Sequence, residues 1–253
     1  MCTVQVREVV LGEGIPKVCI PLMGRTKQEL LEELKELEAH DFDLVEWRVD
    51  FFQNIMELSL VEEILKVINQ KLKNIPVLMT LRRKVEGGNC DLPEGMYFKF
   101  IQETIKMKGI DLIDVELLTS EEKIKETIYL AHEAGIKVIL SNHDFLKTPA
   151  RDELISCLKK MQALGADLCK IAVMPQNPKD VLVVLEATYE MYTLYAKCPI
   201  ITIAMGEQGM ISRLAGEVFG SAMTFGVAKK ASAPGQVPVK ELQSILKLFH
   251  QAI

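Results

Sequence analysis

A single α/β domain over residues 1–253, a (β/α)8 or TIM barrel, is the fold that the sequence predicts. Three observations carry it. Apolar, β-rich runs alternate with amphipathic ones from end to end. The β-rich runs number eight after a short leading segment. Their starts recur at intervals of roughly 24 to 35 residues, about one β-loop-α-loop unit each. No linker, low-complexity tract or composition shift divides the chain. No Gly-x-Gly-x-x-Gly follows the first run to favour the alternative, a doubly wound open sheet.

The leading segment Thr3–Leu11 is β-like and is followed by Gly12-Glu13-Gly14, which suits a short N-terminal β-hairpin capping the barrel floor. Strands are then expected at Lys17–Met23, Asp43–Val49, Pro76–Arg82 and Asp111–Leu117, and at Ile136–Asn142, Asp167–Val173, Pro199–Met205 and Met223–Ala228. Parallel strands are covered on both faces and so read as nearly continuous apolar runs. Helical patterns lie between them, as at Gln28–Ala39, Ser59–Leu72, Ser120–Ala134, Arg151–Leu164 and Pro178–Tyr195. Apolar residues recur there at three- and four-residue steps, as in Leu30, Leu31, Leu34 and Leu37. Gly135 and Gly165 follow two of these helices, where a left-handed cap is expected.

Composition removes several function classes. The chain is 49% hydrophobic and 26% charged, ordinary for a globular protein. Net charge is −5, with lysines and arginines scattered rather than striped, so no nucleic-acid partner is expected. The longest uncharged stretch, Val218–Ala228, falls short of the ~20 apolar residues of a membrane span. The first residues carry charges throughout and lack the layout of a signal peptide, so no membrane partner and a cytoplasmic location are expected. The six cysteines form no Cys-x-x-Cys pair, and no two of the four histidines have ligand spacing. Neither a metal nor a cofactor is called for.

In such a barrel the chemistry gathers at the C-terminal ends of the strands, so charges there need explaining. Lys170 interrupts the sixth apolar run, where an ammonium would be badly desolvated. It is a core lysine paired with a carboxylate, a residue that a different strand register leaves outside, or an amine that burial and neighbouring cations keep unprotonated and free to attack a carbonyl. The fifth run ends Ser141-Asn142-His143-Asp144-Phe145, placing His143, a side chain suited to proton transfer, on the adjacent strand. On the second run Glu46 and Arg48 share a face, as a buried ion pair or as pocket groups. The third supplies Arg82 and then Lys84-Val85-Glu86-Gly87-Gly88, whose glycines can turn Glu86 back over the mouth instead of leaving it in solvent. After the seventh run a glycine-rich loop leads to Arg213, a forked partner for a carboxylate unless it points to solvent. After the eighth, Lys229–Gln236 reads as a mobile lid with Ser232 and Gln236 at its tip. Arg48, Arg82, Arg213 and Lys170 together suit a small, anionic, hydroxylated substrate bearing a carbonyl. The residues alone do not separate phosphate from carboxylate.

The longer motifs are more specific: Glu46-Trp47-Arg48-Val49-Asp50, Glu86-Gly87-Gly88, Ser141–Phe145, Lys170-Ile171-Ala172-Val173-Met174-Pro175, Ser212–Ser221 and Ala231–Gln236. In these the chain resembles the type I 3-dehydroquinate dehydratase (3-dehydroquinase) family, Schiff-base lyases of the shikimate pathway. The resemblance implies syn dehydration of 3-dehydroquinate to 3-dehydroshikimate. It implies that Lys170 forms the imine, that His143 is general base and then acid, and that Glu86 orients His143. It gives the substrate carboxylate to Arg213, ring hydroxyls and neighbouring charges to Glu46, Arg48 and Arg82, and the closing loop to Ser232 and Gln236. It further implies a stand-alone, cofactor-free homodimer. Pro21 stands where some relatives carry serine, which removes a donor at the end of the first strand. Two other activities are compatible with the residues: a Schiff-base aldolase acting on a sugar phosphate, and a non-catalytic barrel that binds a small acid.

Overall fold

The computed structural model describes residues 2–252. It begins with the antiparallel pair β1 (Val4–Val6) and β2 (Val9–Leu11), with Val4 opposite Leu11. Eight parallel strands follow: β3 (Lys17–Leu22), β4 (Leu44–Arg48), β5 (Val77–Thr80), β6 (Leu112–Glu116), β7 (Lys137–Asp144), β8 (Leu168–Val173), β9 (Ile200–Ala204) and β10 (Met223–Val227). Each pairs with the next from β3 to β9, and β10 returns to pair with β3. The ring closes between β9 and β10 at an Ile200–Ser221 bridge, where the Ala222 N–H donates to the Ile200 carbonyl at 2.8 Å. A short β11 (Val237–Pro238) runs parallel to β10. The barrel and its leading hairpin are as the sequence predicts, and strand ends agree to within two residues.

The helices on the outside are α1 (Lys27–Leu37), α2 (Leu58–Lys71), α3 (Glu94–Ile105), α4 (Glu121–Glu133), α5 (Arg151–Leu164), α6 (Pro178–Glu190), α7 (Met210–Leu214), α8 (Gly216–Phe219) and α9 (Val239–Ala252). Their starts follow local chemistry. Thr26 Oγ1 accepts the Glu29 N–H at 3.2 Å, and Asn177 Oδ1 accepts that of Lys179 at 2.9 Å, ahead of Pro178 in the first turn. The last turn of the helix expected to reach Tyr195 is a separate π-helical stretch, Met191–Tyr195. No helix among the described residues is long and apolar enough to cross a membrane.

Two apolar layers hold the barrel. One lies between strands and helices and includes Leu30, Leu34, Trp47, Ile64 and Val138. The other lies inside: Cys19, Leu44, Leu78, Leu112, Ile139, Leu168, Ile201 and Met223 come one from each strand. Val6 and Leu11 of the hairpin join this inner cluster, so the hairpin seals the floor. Two residues further along β4 to β8 the same inward face carries Glu46, Thr80, Asp114, Ser141 and Lys170, all buried. The interior therefore changes from hydrocarbon to charge within one pleat, and the site begins there.

Candidate active site

The strand ends and their loops enclose a cleft of about 470 Å³, part of it open to solvent. All nine residues expected from the sequence line it: Glu46, Arg48, Arg82, Glu86, His143, Lys170, Arg213, Ser232 and Gln236. Pro21 is buried in β3 opposite Glu46 and is not among the lining residues.

Lys170 is 4% exposed, yet its side chain borders the cleft. Its Nζ lies 3.7 Å from Glu46 Oε1, 3.7 Å from Asp114 Oδ2 and 4.4 Å from the centre of the Phe225 ring. The carboxylate-paired reading and the cleft-facing reading thus both describe this lysine. Its surroundings are not only cationic, as Glu46 and Asp114 flank the amine.

His143 sits near the end of β7, which runs past the expected Asn142 to Asp144 and pairs His143 with Ala172 of β8. Its Nδ1 is 2.9 Å from Glu86 Oε2, and the same oxygen accepts the His143 backbone N–H at 3.0 Å. Glu86 reaches this position because a short 3-10 turn, Lys84–Glu86, ends at Gly87 with φ 79°. A Cβ on Gly87 would lie 2.2 Å from the Phe145 ring, so only glycine allows the turn to pack there. Burial, followed by the charges of Arg82, Lys170 and Arg48, pushes the imidazole well below its ordinary range. Burial also pushes the Glu86 carboxyl up to about 8, against the pull of the Arg82 guanidinium 3.7 Å away. In its ionised form Glu86 accepts the Nδ1 proton and leaves Nε2 bare.

The arginines differ. Arg82 Nη2 donates to Asp114 Oδ1 at 2.7 Å, and its Nη1 to Glu116 Oε1 at 3.1 Å and Ser141 Oγ at 3.0 Å. Burial works against its charge, but Asp114, Glu116 and Glu86 more than offset this and hold it firmly protonated. Arg48 forms a two-pronged pair with Asp50, both bonds 2.8 Å, while Glu46 Oε1 accepts the Thr80 hydroxyl at 2.8 Å. Glu46 and Arg48 therefore share a face without pairing with each other. Arg213 is 1% exposed and pairs with no carboxylate among the described residues. Its Nη2 donates to the Pro234 carbonyl at 2.9 Å, its Nε has no partner, and burial lowers its pKa to about 10.

The lid rests on this arginine. The Pro234 carbonyl also accepts the Gly206 N–H at 3.2 Å. Gly235 follows at φ 76°, and a Cβ there would meet the Gly206 carbonyl oxygen at 2.1 Å. Ser232 and Gln236 brace the loop: Gln236 Oε1 accepts the Ser232 N–H at 2.9 Å and Gln236 Nε2 donates to Ser232 Oγ at 2.9 Å.

The expectations from sequence do not include Asp114, Glu116, Ser141 or Thr80, which hold these groups in place. The signal was present: Asp114 and Glu116 interrupt an apolar strand at two-residue spacing, just as Glu46 and Arg48 do.

Comparison with known proteins gives the chain's relatives. The family model for type I 3-dehydroquinase matches residues 18–253. The chain is 54% identical to the 3-dehydroquinate dehydratase of Clostridium novyi (strain NT) over 253 residues, covering all of both chains. It is 45% identical to that of Bacillus subtilis (strain 168) over 251 residues, 99% of this chain and 98% of the relative. Among solved structures, the type I 3-dehydroquinate dehydratase of Clostridium difficile with covalently modified comenic acid superposes with a TM-score of 0.97, at 50% identity and with full coverage of both chains. The chain belongs to the type I 3-dehydroquinase family.

Proposed function

We propose that Lys170, His143 and Glu86 carry the dehydration of 3-dehydroquinate to 3-dehydroshikimate, with Arg213 holding the substrate carboxylate. The observation that carries this reading is a buried amine on β8 that borders the cleft, beside a buried imidazole on the adjacent β7.

The Lys170 amine attacks the ring ketone, and loss of water gives an imine. Once protonated, that imine is a far better electron sink than the ketone, so the neighbouring C–H becomes acidic enough for a histidine. His143 Nε2, with Glu86 accepting at Nδ1, removes that proton and leaves a neutral enamine. The enamine expels the β-hydroxyl, which takes the proton back from His143 and departs as water. One base serving both steps must work from one face of the ring, so elimination is syn. Hydrolysis of the product imine returns the free lysine, and the cycle is redox-neutral.

Arg213 offers an unpartnered, buried Nε–H at the cleft wall, where a charge-assisted bond to carboxylate is strong. Arg48 and Arg82 add positive potential, and Glu46 faces the ring hydroxyls. The lid loop, with Ser232 and Gln236 bonded to each other across it, keeps water from the imine. On the same reading, residues 1–253 form one catalytic domain that uses no metal or cofactor. It works as a homodimer in the cytoplasm, on a small-molecule substrate, without nucleic acid or membrane.

Lys170→Ala tests the proposal. We expect dehydration to vanish while the thermal unfolding transition persists, since the floor cluster beneath is untouched. Turnover at the original rate would remove imine chemistry from this site.

A further inference from the structure

Asp114 has no place in the chemistry above, yet it is more tightly built in than any group that has one. It is 1% exposed and, unlike Lys170 and Glu46, does not border the cleft. Its Oδ1 accepts two short bonds, from Arg82 Nη2 at 2.7 Å and from the Ser141 hydroxyl at 2.6 Å. Its Oδ2 is buried, has no hydrogen-bond partner, and lies 3.7 Å from the Lys170 Nζ. One oxygen is thus fixed, which leaves the other facing the amine. Glu46, at the same distance, differs: the oxygen nearest the amine already accepts the Thr80 hydroxyl, and the side chain opens onto the cleft.

We propose that Asp114 is the fixed counter-ion of the lysine imine, a carboxylate beside Lys170 that keeps the imine nitrogen protonated. The proposal rests on Lys170 being the imine-forming residue. Only the protonated imine draws electrons strongly enough for His143 to remove the ring proton. The positive charge appears at the nitrogen when the imine forms, disappears in the enamine and returns when the hydroxyl leaves. A carboxylate that substrate does not touch, and that Arg82 and Ser141 hold still, presents the same negative charge throughout and needs no reorganisation. Asp114 stays ionised to do this: burial pushes its carboxyl up, but Arg82 and then Lys170 bring it below the ordinary carboxylate range. Substrate recognition and imine protonation are thereby divided between two carboxylates that flank the amine, Glu46 on the cleft and Asp114 away from it.

The test is the pH dependence of imine reduction. The full-length chain is incubated with 3-dehydroquinate and cyanoborohydride, which reduces the protonated imine, and the adduct on Lys170 is quantified by peptide mass across a pH series. Asp114→Asn is expected to move the alkaline limb of adduct formation to lower pH by about 1–3 units, the usual effect of an opposite charge at this range. Asp114→Glu and Ser141→Ala keep the charge and should keep the limb in place, whatever they do to yield. A purely structural role predicts lower yield in Asp114→Asn at every pH with an unmoved limb, and that result would overturn the proposal. If Asp114→Asn does not fold, the unsubstituted chain still decides. Its limb should lie above that of the imine formed by 3-dehydroquinate with a simple alkylamine; a limb at or below the alkylamine value overturns the counter-ion. An absence of adduct on Lys170 in the unsubstituted chain would instead overturn the imine reading itself.

Discussion

The two sides of the barrel mouth solve opposite problems with similar residues. On the arc from β4 to β8, the inward positions above the floor are Glu46, Thr80, Asp114, Ser141 and Lys170, and the next level adds Arg48, Arg82, Glu116 and His143. Charges there are matched within the protein: Arg82 by Asp114 and Glu116, Arg48 by Asp50, Lys170 by Glu46 and Asp114. On the arc of β9 and β10, the corresponding positions are Ile203, Met205 and Phe225, packed into the inner apolar cluster. The cation on that side, Arg213, has no carboxylate partner among the described residues. A network whose charges are already compensated holds its shape and is suited to moving protons. A buried cation without a counter-charge is suited to receiving one, and the ligand completes it. On the proposed reading, the difference puts the reacting groups on one arc and the anchor for the substrate carboxylate on the other.

Substitutions on the two arcs should therefore fail in different ways. The largest expected effect after loss of Lys170 is on the chemical arc. His143→Ala should lower kcat by about 10²–10⁴-fold, the usual worth of a positioned acid–base group, while the imine still forms and can be trapped. An unchanged rate would take His143 out of the reaction. On the recognition arc, Arg213→Ala loses a charge-assisted bond worth roughly 1.5–3 kcal/mol. We expect about 10–100-fold weaker binding of carboxylate-bearing ligands and a smaller change in kcat. Equal losses for a ligand and its analogue without the carboxylate would break the comparison.

The third effect is on stability. Glu86 is raised on folding from its ordinary 4.5 to about 8, so between those values the folded chain holds a proton that the unfolded chain has released. Its contribution is complete below about pH 4.5 and is lost as pH rises through about 8. His143, pushed below 6.5, has the opposite sign: its contribution is lost as pH falls beneath 6.5. Glu86→Gln should thus flatten the decline of unfolding free energy between pH 5 and pH 8, as read by denaturant titration. A decline as steep as in the unsubstituted chain would show that Glu86 is not the group responsible.

The barrel was legible because the eight apolar runs and the helical patterns between them each obey their own period, and strands such as Asp167–Val173 needed little trimming. Lys170 stood out as a charge inside an apolar run and His143 as a polar residue at the end of one, while the glycines at 87 and 88 marked a turn able to bring Glu86 back without separating it from a solvated loop carboxylate. Partnerships were not legible. Arg48 pairs with Asp50, two residues along its own chain, rather than with Glu46, because the strand gives way to a 3-10 turn at Val49 that brings Asp50 to its side. Asp114 and Ser141 acquire their meaning only when β6 and β7 lie beside β5 and β8, a fact of three-dimensional register that spacing along one strand does not contain. Helix α3 falls where the alternation requires a helix, between β5 and β6, and its Tyr97 hydroxyl accepts the Glu116 N–H at 2.9 Å.

The division of labour depends on a nucleophilic nitrogen at Lys170 that forms an imine, and that is the claim to test most directly. The chain would be incubated with 3-dehydroquinate, reduced with borohydride, digested, and mapped by peptide mass. The account predicts a stable adduct of one substrate- or product-derived unit on the peptide that carries Lys170. Dehydration proceeding with no adduct on that peptide would contradict it.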